Sequence, residues 1–250
     1  MPYKHIDLYG KGHGNVFLST GEFKFDSIKG DVLALREIAD MHTLPKFAFE
    51  CIKHNIKPLC GVAFLIKTPK DCLIDTIEIV CYPEDDEGCD ELKFLCIRSK
   101  HGVISHDDFC KFSNHIQVGI NTICDERVLL VIENILEFVL MPDFIIIDSF
   151  VNGWRCWEHA KTLIEDKKIL FCLGNFSSNK SDEELLEECE SFGDKAYEYL
   201  VENPRKITDR ISGNIKFDVA FLEEYKYRLS LVEKSDYIRW YRNQDIKYWK

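Results

Sequence analysis

Three stretches of this chain are apolar on both faces of any strand they form: "IKPLCGVAFLI" (56–66), "DFIIID" (143–148) and "KILFCLG" (168–174). A strand with two apolar faces must be covered on both sides, so it belongs inside a sheet flanked by helices. Helical patterns lie between such runs. Over 43–54, Thr43 suits a cap, Pro45 the first turn, and Phe47, Cys51 and Ile52 a buried face. Over 124–140, Leu129, Ile132, Leu136 and Val139 recur at helical spacing, and 154–166 reads as a further helix. Strands are also expected at 5–9, 15–19, 31–38 and 115–120. A hairpin of 73–82 and 92–98 is expected around the acidic tip "PEDDEGCDE", followed by a short helix at 106–112 capped by Ser105 or Asp107. Alternation of this kind predicts an α/β fold with a mainly parallel sheet, in one domain with a helical C-terminal segment.

With 250 residues, 46% of them hydrophobic, the chain can build a full core. The net charge of −11 repels phosphate, and no Lys/Arg cluster breaks that field, so direct nucleic-acid binding is disfavoured. No apolar run is long enough for a membrane span, and "MPYKHIDLYGKGHG" has no signal-like apolar core. Of eleven cysteines the nearest two, Cys89 and Cys96, stand seven apart. With no CxxC, a zinc knuckle or redox pair is disfavoured. Cys60, Cys96 and Cys172 sit inside apolar runs, where free thiols act as small hydrophobes. The expected compartment is the reducing cytoplasm.

The glycines of "YGKGHGN" miss both phosphate-loop spacings, and no hydrolase or zinc-protease motif occurs. Two acids follow apolar strand cores, Glu37 after "DVLALR" and Asp148 after "FIII". Strand carboxyl ends are where α/β barrels gather catalytic groups, although acids there also cap helices.

"DVLALREIADMHTLPKFAFECIKHNIKPLCGVAF" (31–64) resembles the PHP (polymerase and histidinol phosphatase) domain family, in the version found at the N-terminus of bacterial family C polymerases, the DNA polymerase III alpha subunits. "LKFLCIRS", "MPDFIIIDSFVNGWRCWEHAKTLIEDKKILFCLGN" and "DKAYEYLVENPRKITDRI" extend the resemblance across roughly residues 3 to 212. It implies a distorted, TIM-barrel-like α/β barrel. In the family, His, Asp and Glu at strand ends hold up to three divalent ions, which activate water against a phosphoester. Carried across, the first-strand His-x-His falls on Asp7 and Tyr9, and the Asp-His turn on Glu37 and Ile38. The acid after the strand glycine falls on Ala63, and the late Asp-x-His on Asp148 and Phe150. Asp7, Glu37 and Asp148 alone make a poor zinc site and at most a loose one for magnesium or manganese. His5 or His13 are alternative ligands, and a shifted register offers Asp40 and His42.

The resemblance therefore implies a stand-alone, degenerate PHP-like domain over 1–212, without a metal cofactor, with a helical extension over 213–250. Its expected role is non-catalytic: docking a protein partner, plausibly a replication component, in a chain of phage or mobile-element type. Tyr237, Trp240 and Tyr241 are the candidate interaction residues. The alternatives are a Zn-, Mn- or Mg-dependent phosphoesterase or 3′–5′ exonuclease, and a small-molecule site lined by Tyr9, Ile38 and Phe150.

Overall fold

A computed structural model describes residues 4–9, 11–12, 25, 28–123, 125–148, 154–175 and 180–212. The strands are β1 (Lys11–Gly12), β2 (Val32–Ile38), β3 (Lys57–Lys67), β4 (Thr76–Pro83), β5 (Val103–Ile104), β6 (Ile116–Asn121), β7 (Phe144–Asp148) and β8 (Leu170–Gly174). Among the described residues they form one sheet in the order β1-β2-β3-β4-β6-β7-β8, with β5 beside β3. The sheet is mixed and curls into a half-barrel. The expectation of a mainly parallel sheet holds except at β4, which runs against both β3 and β6. The reason is the link. Residues 68–75 are too few for the dozen or more that a parallel crossover needs, and Thr68 closes the turn on Asp75 at 3.0 Å.

Helices cover the outer face of the sheet. In α1 (Leu44–Lys53), Leu44, Phe47, Ala48 and Cys51 are buried. Ile52 is half-exposed at 53%. It follows Cys51 by about 100° around the helix and so leaves the face that Phe47 and Cys51 share. Thr43 does not cap α1; its hydroxyl donates to Glu37 instead.

The expected hairpin at 73–98 is half wrong. β4 forms, but 86–98 is a helix, α2 (Asp86–Arg98). Asp85 caps it, accepting from the Gly88 N–H at 2.9 Å, and Asp86 and Glu87 complement the positive end of the helix. Cys89, Leu92, Leu95 and Cys96 are its buried stripe. Ser105 caps α3 (His106–Lys111), as one of the two expected caps. The helix expected over 124–140 is two short ones, α4 (Arg127–Leu130) and α5 (Ile132–Phe138), parted at Val131, whose φ is −113° and ψ 14°. Then come α6 (Trp154–Asp166), α7 (Asp182–Glu188, with a capping box on Ser181 and Glu184), a 3₁₀ turn at Glu190–Lys195, a π turn at Glu198–Glu202 and α8 (Asn203–Thr208).

Residues 5–9 are not a ladder strand. Side chains bond part of their backbone instead. Asp182 accepts from the N–H groups of Lys4 and His5, and Tyr82 Oη donates to Leu8 O at 2.5 Å. This segment lies on the inner face of the sheet, where Ile6 and Leu8 pack with Ala34, Leu59, Val80, Phe144, Ile146 and Cys172. Each such side chain contributes about 1.5–3 kcal/mol by leaving water. Arg205 ties the same segment down, donating from Nε to Lys4 O at 3.0 Å and pairing bidentately with Asp31.

Cys60, Cys96 and Cys172 are buried as expected, and the described cysteines are free thiols. Burial pushes the Cys51 thiol up to about 12, so it is inert near neutrality. No described helix is long and apolar enough to cross a membrane. The strand expected at 15–19, His13, Phe150, and the segment 213–250 with Tyr237, Trp240 and Tyr241 lie outside the described residues.

Candidate functional site

The carboxyl ends of the strands on the inner face meet in one mouth. Alternation decides which residues reach it, because successive side chains on a strand point to opposite faces. On β2, Val32, Ala34 and Ile38 face inward with the inner cluster, and Leu33 and Leu35 face the helices. Arg36 therefore points inward and Glu37 outward.

Among the described residues Arg36 is the largest fully buried side chain, at 1% exposure. Its Nη1 donates to Glu78 Oε1 at 3.2 Å, and its Nε donates to Tyr9 O at 2.8 Å. The guanidinium carbon also lies 4.0 Å from the centre of the Tyr9 ring. Glu78 stands directly beside Asn121 in the β4–β6 ladder. Asn121 Nδ2 donates to the same Glu78 oxygen at 2.5 Å, and its Oδ1 accepts from Ile123 N at 3.0 Å. Side chains of three strands thus join in one buried network, with Glu78 between the Arg36 guanidinium and Asn121. Small residues let the guanidinium pass: Arg36 pairs across β3 with Gly61, and the next inward residue is Ala63. A Cβ on Gly61 would meet the Tyr82 ring at 2.6 Å.

Asp7 sits at the same mouth. Its Oδ1 accepts from Tyr9 N at 3.0 Å and from Asn175 N at 3.3 Å, and a Cβ on Gly174 would come within 3.1 Å of it. Asp148 pairs with Gly174 in the β7–β8 ladder, which brings its backbone there too; its side chain lies outside the described residues. Tyr82 reports the local field. Burial lifts its phenol far above the ordinary value, the charge of Asp7 adds to that, and Arg36 opposes it.

The other predicted ligands are elsewhere. Glu37 is buried on the outer face and accepts from Thr43, so it cannot join Asp7. His5 points its Nδ1 at Asp182 Oδ1, 2.6 Å away. Burial works to raise the Asp182 carboxyl, but hydrogen bonds from His5 and two backbone N–H groups outweigh it and hold it below the usual carboxylate range. Asp40 and His42 pair with one another in the turn after β2, where Asp40 Oδ1 also accepts from the N–H of Met41 and His42. Ile38 is buried in the inner cluster.

Arg36, Glu78 and Asn121 were not singled out from the sequence. Their signal is a polar residue on the inward phase of a largely apolar strand: Arg36 in "VLALREI", Glu78 in "TIEIV" and Asn121, which shares its phase with Gln117, in "QVGIN".

The described residues do not fit a multi-ion metal cluster. A divalent ion needs several anionic or imidazole ligands turned toward one point. Here the buried Glu78 carboxylate already accepts from Arg36, and Glu37 faces the helices. Among the described residues, no three His, Cys, Asp or Glu side chains converge in a metal-binding group.

No model of a known protein family matches the chain. It is similar to the DNA polymerase III subunit alpha of Staphylococcus aureus (strain MRSA252), at 23% identity over 215 residues, covering 78% of this chain. The match spans 19% of that protein, so the chain corresponds to about a fifth of its relative.

Proposed function

We propose that this chain is a PHP-like domain that acts as a protein-interaction module linked to DNA replication, without phosphoesterase chemistry at its mouth. The observation that carries the reading is the buried Arg36 guanidinium, held by Glu78 and Tyr9 at the strand ends where the family's ions would bind. The similarity to a replicative polymerase subunit supports the replication link. Net charge of −11 favours a protein partner over direct contact with DNA. Phe49 and Ile52, three residues apart on α1 and 66% and 53% exposed, offer apolar surface for such a partner.

The competing reading keeps metal-dependent phosphoester hydrolysis, because Asp7 and the Asp148 backbone do meet at the mouth. Two measurements separate the readings. Elemental analysis of protein dialysed against Zn²⁺ and Mn²⁺ should show well under one ion per chain. Hydrolysis of p-nitrophenyl phosphate and of single-stranded DNA 3′ ends should be the same for the native chain and Asp148→Ala. One or more ions per chain, with hydrolysis lost in Asp148→Ala or Asp7→Ala, overturns the interaction-module reading.

A further inference from the structure

The mouth presents acceptors to a positive charge from several directions: the Glu78 carboxylate, the Tyr9 carbonyl and the face of the Tyr9 ring. The Asn121 amide fixes the same Glu78 oxygen in place, and the backbone N–H of Ile123 fixes Asn121. Oxygen acceptors and a ring face arranged around one point suit a cation by their chemistry. We propose that Arg36 is the resident cation of this site: a counter-ion tethered to β2 that does the charge-balancing a soluble ion would otherwise do, so that the fold is independent of metal. The proposal deepens the PHP-like reading and rests on it only for the comparison with a soluble ion; the cation site itself rests on the contacts of Arg36.

Physical reasons favour the exchange. Arg stays charged at every accessible pH and carries five donors in a rigid fork, so it holds a carboxylate and a carbonyl together with a defined geometry. A tethered cation is also at fixed concentration, whereas an ion leaves when its supply falls. Once the guanidinium is in place, a divalent ion at the same point would meet like charge in a buried setting.

Chemical rescue of a truncated residue 36 tests this. The native chain should melt at the same temperature in EDTA, in 1 mM (about) MnCl₂ and in methylguanidinium chloride. Arg36→Ala should lower Tm by about 10 °C, and millimolar methylguanidinium or Mn²⁺ should restore part of that loss, with neither rescuing Leu35→Ala. If Arg36→Ala does not fold, Arg36→Met and Arg36→Met/Glu78→Gln supply the test: the double variant should melt higher than Arg36→Met, since it removes the buried charge as well as its partner. Two results overturn the proposal: truncation at residue 36 that leaves Tm unchanged, or a loss that neither cation relieves together with a double variant no more stable than Arg36→Met. Stoichiometric metal in the native chain is a different failure. It would overturn the non-catalytic reading, while the rescue of Arg36→Ala would still judge the cation site.

Discussion

On the outer face of the sheet, Leu35, Val62, Ile79, Ile120 and Ile147 belong to one apolar cluster with the helices, and Glu37, bonded by Thr43, is a polar exception there. On the inner face, strands of the same sheet carry Arg36, Glu78, Asn121 and the Tyr82 hydroxyl, and they face a segment without ladder partners, residues 4–9. The two faces differ in what fixes their geometry. Dispersion and water exclusion hold the outer face and tolerate exchange of one apolar shape for another. The inner face has an apolar cluster of its own but depends on directional bonds as well, whose partners are expensive to leave alone in a low dielectric. Burying the Arg36–Glu78 pair contributes little net stability, because desolvation offsets attraction, yet removing one member is severe.

Several measurements break or sharpen that contrast. The largest effect is expected from Glu78→Leu, which takes the carboxylate from a guanidinium that is 1% exposed; urea unfolding should show a loss of about 3–5 kcal/mol. Glu78→Gln keeps an acceptor and should lose less than half of that. On the outer face, Leu35→Ala should cost about 3 kcal/mol as a cavity, while Leu35→Met, which keeps volume, should cost under about 1.5 kcal/mol. No such conservative exchange exists at Arg36: Arg36→Lys loses the fork and should resemble a truncation more than a swap.

A smaller effect comes from the ends of elements. Asp85→Ala removes the cap of α2 and should cost about 1 kcal/mol by urea unfolding. The pH dependence has a definite sign. Hydrogen bonding from Arg205 holds the Asp31 carboxyl below its ordinary 3.8, and the bonds from His5 and the backbone, outweighing burial, do the same for Asp182. The folded state therefore takes up these protons later than the unfolded chain does. Their contribution is present above pH about 4 and is lost as pH falls toward the depressed values. An acid titration of stability should show the loss, and Asp182→Asn should flatten it. Asp31 is half-exposed, so its share is only a few tenths of a kcal/mol. Smallest of all, Phe49→Ser and Ile52→Ser should change stability by under about 0.5 kcal/mol, so any effect on partner capture would be an effect on surface.

Much of the fold was legible because burial imprints period. β2, β3, β6, β7 and β8, with α1, α3 and α6, follow apolar runs and helical spacings that survive by themselves. α2 was misread because Phe94 and Ile97 are exposed yet apolar, which fills in the stripe of Leu92, Leu95 and Cys96 until "LKFLCIR" looks like a strand. Asp7 lies at the mouth, in a segment whose backbone has no ladder period to read. Glu37 stands at a strand end, but parity with Leu33 and Leu35 turns it toward the helices. The Arg36 network comes from three strands whose members are 42 and 43 positions apart, so no local pattern announces it.

The anchors of residues 4–9 also fix an order of events. Lys4 and His5 find their partner Asp182 at a sequence separation of 178 and 177 residues, and Lys4 meets Arg205 at 201. During synthesis this segment leaves the ribosome ahead of nearly everything it will touch. Ile6 and Leu8 must then stay in water, or in the care of a chaperone, until the second half of the chain has emerged. High contact order of this kind makes seating the segment a late and slow step, and the nascent chain a target for proteases and aggregation until it is done.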